Sequence, residues 1–204
     1  MKTKLAIFVF GLFLCGTLAA QTSGDSSSSQ SPSSRKAFKH AINICPIAPV
    51  FGIYAVNYEY LISPKNGLVV RFEYEAVPKA YTDANIESSG TAYTLNYRRH
   101  LSGEMNSIFL GAYGRYRTYK GDGMQETTPF DFTMSSYTFG LNGGKRWVWN
   151  SGFNIAFSLG YGFSIDDREA TPTSNAIEAA LDQLEKEYDF MSPFLGELSI
   201  GYAF

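Results

Sequence analysis

Phe153–Ile165 reads FNIAFSLGYGFSI. Phe153, Ile155, Phe157, Leu159, Tyr161, Phe163 and Ile165 share one face of an extended chain, and Asn154, Ala156, Ser158, Gly160, Gly162 and Ser164 share the other. Successive side chains of a strand point to opposite sides, so this is a strand with one large apolar face and one small face. A soluble barrel or sandwich turns its second face to water and fills it with Lys, Glu and Thr. Here the second face carries no charge at all. Small polar residues suit a narrow interior, so the aromatic set is read as facing lipid and the small set as lining a lumen.

The same alternation recurs at Val50–Ile62, Leu68–Val77, Thr91–Leu101, Ser107–Tyr119 and Phe132–Trp149. It returns at the C-terminus, where Leu198, Ile200, Tyr202 and Phe204 oppose Glu197, Ser199, Gly201 and Ala203. Composition agrees: the 204 residues include 19 Gly, 14 Tyr and 16 Phe, and only 18% are charged, below the usual quarter or so. A formal charge of −2 leaves no electrostatic footprint for nucleic acid. Beyond the first twenty residues no apolar run reaches about 18 residues, so no further helix is expected to span a bilayer.

The N-terminus reads as an address. Lys2 and Lys4 precede an apolar Leu5–Leu18, and small residues end it at Ala19-Ala20, the pattern of a secretory signal peptide over 1–20. Gln21–Lys36 (QTSGDSSSSQSPSSRK) is Ser-rich and aperiodic, the composition of a disordered linker. Residues 37–204 form the expected barrel domain. Cleavage removes Cys15, leaving Cys45 without an intrachain partner and best read as a small apolar filler.

Turns set the register and the strand number. Asn150-Ser151-Gly152 makes a three-residue hairpin, placing Trp147 opposite Ile155 and Leu141 opposite Tyr161. Ser63–Gly67 (SPKNG) makes another, placing Tyr60 opposite Val70, Tyr58 opposite Phe72 and Glu59 opposite Arg71. Connections at 63–67, 102–106 and 150–152 are short, and those near 78–90, 120–131 and 166–191 are long. Outer-membrane barrels alternate short periplasmic turns with longer external loops. With Ala37–Cys45 as the first strand, eight strands result and both termini lie in the periplasm. Tyr60, Trp147, Trp149, Phe153, Tyr202 and Phe204 then gather at one end, and Tyr74, Tyr93, Tyr116, Tyr137, Phe163 and Phe194 at the other, as two interfacial girdles.

Leu198–Phe204 (LSIGYAF), an alternating last strand with a terminal aromatic, resembles the C-terminal signal read by the outer-membrane assembly machinery. Leu198, Ile200, Tyr202 and Phe204 carry that resemblance. Ser199 stands where such signals often carry Gly. From about Ala37 the chain resembles the small eight-stranded barrels of the OmpA/OmpX type. Asn57-Tyr58-Glu59-Tyr60 and Asn96-Tyr97-Arg98-Arg99 are similar to a barrel family of unknown function common in Bacteroidota. Neither resemblance implies a catalytic set or a cofactor.

The lumen-facing phase collects Glu59, Arg71, Glu73, Glu75, Arg98 and Arg115, joined by Arg117, Arg146, His100 and Glu197. An eight-stranded barrel is only wide enough to be filled by side chains, so these charges are expected to pair in a structural network. A narrow solute path is the alternative, and mixed signs argue against strong selectivity. Lipid-modifying chemistry would need His40 or His100 near the outer leaflet, and the topology puts both at the opposite end. His and Cys are too few for a metal site.

Residues 166–190 break the pattern. Ile177, Leu181, Leu184 and Tyr188 recur at helical spacing, predicting an amphipathic helix over 175–188 with Ser174 or Asn175 as cap. Asn175 with Glu178 approximates a capping box, and Asp182 with Lys186 an i,i+4 pair. The loop holds eight carboxylates against Arg168 and Lys186. Its apolar stripe is expected to cover the barrel mouth or to dock another outer-membrane or surface protein. Its acidic face could also hold divalent ions against lipopolysaccharide. The expectation is thus a non-enzymatic all-β outer-membrane barrel, structural or accessory, whose partners are lipids, lipopolysaccharide and the assembly machinery.

Overall fold

A computed structural model describes residues 37–77, 87–125, 128–188 and 193–204; the expected signal peptide and linker lie outside them. Eight antiparallel strands follow one another: β1 (His40–Ile44), β2 (Ile53–Ser63), β3 (Asn66–Val77), β4 (Glu87–His100), β5 (Ile108–Gln125), β6 (Thr128–Val148), β7 (Phe153–Thr171) and β8 (Leu195–Ala203). β8 pairs back onto β1, so the sheet closes into a barrel. One helix, α1 (Asn175–Tyr188), lies between β7 and β8.

Parity sorts the wall residues of the belt. Outward Leu141, Tyr161 and Phe163 are 71%, 69% and 63% exposed, while inward Glu59, Arg146 and His100 are fully buried. This is a soluble protein's pattern inverted. A contiguous apolar exterior of this extent is matched to lipid, not to water. Inside, side-chain size alternates between neighbouring strands, with an inward glycine directly opposite an inward aromatic. A Cβ on Gly140 would lie 2.7 Å from the Tyr113 ring, one on Gly90 2.4 Å from Tyr119, and one on Gly144 2.8 Å from Phe109. The inward glycines are the hollows into which inward aromatics fit.

The β6–β7 hairpin has the expected register, with Trp147 opposite Ile155 and Leu141 opposite Tyr161. Gly152 takes the left-handed conformation (φ 94°) that the three-residue turn requires. The β2–β3 hairpin differs. Its turn is tighter, with Ser63 opposite Asn66 and an irregularity between Leu61 and Ser63, so every pair moves by two residues. Tyr60 faces Leu68, Tyr58 faces Val70, and Glu59 faces Val69 instead of Arg71. A two-residue slip preserves parity, so each side chain keeps its expected face although the expected pairs, Glu59–Arg71 among them, are lost.

The expected long loop at 120–131 and the loop beginning at 166 are largely strand. β5, β6 and β7 run for 18, 21 and 19 residues, about twice the 9–11 residues that cross a bilayer. Their polarity flips midway without a change of register. Above Tyr116, Tyr137 and Ile165 the outward residues become Thr118 and Lys120, Ser135, Thr133 and Asp131, then Asp167 and Glu169. The inward ones become Tyr119, Met134, Phe132 and Phe130, all buried. The sheet is thus inside-out below this level and ordinary above it. The outward aromatics end at the flip, which in the sequence pattern resembles the end of the strands.

α1 covers the inner face of the extension. Ile177 and Leu181 join Tyr119, Phe130, Phe132 and Met134 in one apolar cluster. The cap is Ser174, whose Oγ accepts from the Ile177 N–H at 3.2 Å. Glu178 does not close a capping box. It pairs with Arg168 of β7 at 2.9 Å, and Asp182 joins the same guanidinium at 2.6 Å. Arg168 therefore fastens the helix to the extended wall.

The polarity flip predicts unequal tolerance along one strand. Leu141→Arg, near mid-height of the apolar belt, is expected to cost about 2–4 kcal/mol when folding into vesicles is measured by denaturant titration. Thr133→Arg, above the flip on the same face, is expected to change stability by no more than about 0.5 kcal/mol.

Candidate functional site

The barrel interior holds charge at two levels. The level nearer the short turns centres on Glu59. Its Oε2 accepts from Arg146 Nη2 at 2.8 Å and Arg98 Nη1 at 3.1 Å, and its Oε1 lies 2.6 Å from His100 Nε2. Arg98 also donates to Glu197, and its guanidinium sits 4.3 Å from the centre of the Phe109 ring. Glu197 accepts from Ser199 Oγ at 2.7 Å, Asn57 Nδ2 at 3.1 Å and Ser158 Oγ at 3.3 Å. Arg146 Nη1 donates to the Oδ1 atoms of Asn154 at 2.9 Å and Asn43 at 3.0 Å. Two carboxylates and two guanidiniums thus neutralise one another in a fully enclosed space. That is the condition under which buried charge is tolerated.

The second level lies toward the extended end. Arg71 donates through Nη2 to Glu73 at 2.6 Å and through Nη1 to the Gly196 carbonyl at 2.9 Å. Arg117 pairs with Glu75 at 3.3 Å, and the Tyr119 hydroxyl donates to the same carboxylate. Arg115 Nη1 donates to the Phe194 carbonyl at 3.1 Å and Tyr113 OH to the Pro193 carbonyl at 2.6 Å. Three lumen side chains therefore hold the start of β8 by its backbone.

Apolar groups close both ends of this column. At the extended end, Ile177 and Leu181 of α1 sit on Tyr119, Phe132 and Met134. At the other end the turn between β4 and β5 folds under the barrel and inserts Met105, 2% exposed, among Phe38, Ala41, Leu61, Ala203 and Val148. Below that floor lies a cavity of about 290 Å³ rimmed by Lys39, Pro64 and Glu104.

All six side chains singled out from the sequence, Glu59, Arg71, Glu73, Glu75, Arg98 and Arg115, are buried in the lumen. They do not form one network, since Glu59 and Arg98 belong to the first level and the others to the second. Arg146, His100 and Glu197 prove central. Strand parity signals all three, but only the register shows that they meet. Leu198, Ile200 and Tyr202 lie on the outer face of β8, with Phe204 just beyond it and outward too. Ile177 and Leu181 are occupied within the chain, and Leu184 and Tyr188 lie outside the described side chains. Among the described residues no His, Cys, Asp or Glu group is arranged to hold a metal ion, and Cys45 is a buried free cysteine.

These features define a closed eight-stranded barrel with a lipid-matched exterior, a charge-paired interior and a helical cover. The chain belongs to the family of proteins of unknown function designated DUF3575, whose model matches residues 21–204. No curated protein matches the sequence significantly. Among solved structures it is similar to a major outer membrane protein from Thermus thermophilus, at 15% identity and TM-score 0.46, over 83% of this chain and 100% of that one. It is also similar to Acinetobacter baumannii CarO, at 11% identity and TM-score 0.39, over 83% of this chain and 98% of the other. For CarO2 of the same organism the identity is 8% and the TM-score 0.39, over 82% and 98%.

The shared carboxylate predicts an asymmetric mutational pattern. Glu59→Gln leaves buried Arg98 and Arg146 short of charge, and its expected cost is about 3–5 kcal/mol in equilibrium unfolding. Arg168→Ala, which breaks the half-exposed pairs to α1, is expected to cost no more than about 1 kcal/mol.

Proposed function

We propose that this protein is a non-enzymatic integral barrel of an outer membrane, serving as a structural or accessory component. The observation that carries the reading is the interior, in which paired charges lie between two apolar seals. A channel needs a continuous polar path, whereas here Met105 and Phe38 block one end and Ile177 and Leu181 the other. The short turns at 64–65, 101–107 and 149–152 suit a periplasmic end, and the polar-surfaced β5–β6–β7 extension with its acidic helix suits the external side. On that orientation both termini are periplasmic.

A non-catalytic role is supported by the histidines. His100 is enclosed between Glu59 and Phe109, while His40 bonds Tyr58 OH and stacks on Tyr60 and Phe204 in the aromatic girdle. Neither is presented to a substrate. The acidic outer face of α1 and the loop around it is the surface proposed to meet lipopolysaccharide or a surface protein, and the last strand is proposed to meet the assembly machinery.

Planar-bilayer recording tests this reading. The wild-type protein is expected to show no steady single-channel current. Introducing charge into both seals, as in Met105→Asp with Leu181→Asp, is expected to raise the frequency of openings. A steady wild-type conductance would replace the structural reading with the small-solute channel. Partition of the refolded chain into water without detergent would remove the membrane reading itself.

A further inference from the structure

β1 is the shortest strand of the ring, with five residues. The expected strand reached Cys45, but pairing with β8 stops at Ile44 opposite Ile200. The cause lies in the hydrogen-bond parity. His40 and Phe204 exchange both backbone bonds, at 2.9 and 2.8 Å. Steps of two carry that pattern to Ile42–Tyr202 and Ile44–Ile200 and would next reach Pro46 opposite Leu198. Pro46 has no N–H to give to the Leu198 carbonyl, so the ladder between β1 and β8 ends there. On its other side the strand goes one residue further, since Cys45 N–H donates to the Ala55 carbonyl at 3.2 Å.

The chain then leaves the β8 ladder. Ala48–Phe51 forms a 3-10 turn, and the Gly52 carbonyl accepts from Ala76 N–H of β3 at 2.9 Å. That bond continues the β2–β3 ladder, so β2 stays paired to β3 here, while on its β1 side β8 has no strand partner from Leu195 to Ser199. Ile47, Val50 and Phe51, in the connection that follows Pro46, are 51%, 78% and 56% exposed, and Phe194, just before β8, is 49% exposed. By the same parity the Gly196 carbonyl points toward the missing strand. What it receives is Arg71 Nη1, from a strand three places away around the ring, with the guanidinium steadied by Glu73.

We propose that the strip between Pro46 and Leu198 is a lateral seam in the barrel wall, latched from inside by Arg71, which opens the second charged level to hydrocarbon chains of the adjoining leaflet. An apolar medium demands that backbone groups be paired, and here the ladder between β1 and β8 ends within the wall. At the seam one side-chain donor replaces a strand, and a side chain can swing where a ladder cannot. Exposed apolar side chains in the segments next to the seam suit hydrocarbon rather than water. This inference rests on the membrane reading above.

Cys45, 6% exposed and lumen-facing beside the seam, is a built-in reporter. The experiment uses the full barrel in vesicles, with Cys15 removed by processing or replaced by Ser, and reads the rate of Cys45 alkylation. The probes are a lipid-soluble maleimide and a charged, bilayer-impermeant one. Arg71→Ala is expected to speed the lipid-soluble reaction about tenfold or more, the scale of losing one charge-assisted hydrogen bond, and to leave the charged probe's rate unchanged. Pro46→Ala restores the missing donor and is expected to slow the lipid-soluble reaction several-fold below wild type. Unchanged lipid-soluble rates in Arg71→Ala overturn the proposal, as does acceleration by the charged probe alone, which would mean opening through a mouth. If Arg71→Ala does not fold, judged by heat-dependent gel mobility, Pro46→Ala decides, and a wild-type rate there overturns the seam. A chain that never enters vesicles fails the membrane reading instead.

Discussion

The structure depends on one carboxylate. Glu59 takes hydrogen bonds from Arg98 of β4 and Arg146 of β6 and touches His100, so a β2 side chain ties together strands on separate sides of the ring. Glu197 does the same from β8, reaching β2, β4 and β7. In a closed sheet the ladder fixes neighbours but says little about how opposite walls face one another. Charges with no access to water supply that information, because each must find a partner of opposite sign or cost several kcal/mol. The lumen is thus the core of this protein, polar where an ordinary core is apolar.

Much of this is legible in the sequence, because strand parity is local. A face assignment survives an error of two residues, and the β2–β3 turn introduces such an error. Faces, strand number, the Asn150–Gly152 hairpin and the helix at 175–188 all follow from patterns within a few residues. Partner identity does not. Turn length alone pairs Glu59 with Arg71, but the tighter turn sets Arg71 opposite Asn57, where it bonds Glu73 of its own strand, and leaves Glu59 to residues far along the chain. Arg146 and Glu197 have local signals no different from any other inward charge. Only the summed registers of several hairpins bring them within reach of one another.

The extended strands escape a sequence reading for a second physical reason. The eye follows alternation by its aromatic phase, and that phase changes sides at Tyr116, Tyr137 and Ile165. Tyr119, Phe130, Phe132 and Met134 keep the period of two but occupy the other face. Polarity is a property of the surroundings, so a strand that leaves one solvent for another reverses its colouring while its geometry continues. The acidic residues of 166–171 look like a loop on the same basis. The helix finds its cover on the inner face of this extension, where Ile177 and Leu181 replace solvent over the rings.

The reversal also bears on how the molecule keeps its depth. A barrel with a uniform apolar belt is free to ride up or down until belt and bilayer match. Here Lys120, Asp122, Asp131, Asp167 and Glu169 stand on the outer face just above the belt, where any downward slip would drag them into hydrocarbon. Each such burial is costly, so the extension works as a collar that the membrane cannot swallow. On the proposed orientation, with the extension outside, those same charges pass through the bilayer once during insertion, on the ends of β5, β6 and β7. Having passed, they oppose return, and the barrel is held by a kinetic catch as well as by its equilibrium stability.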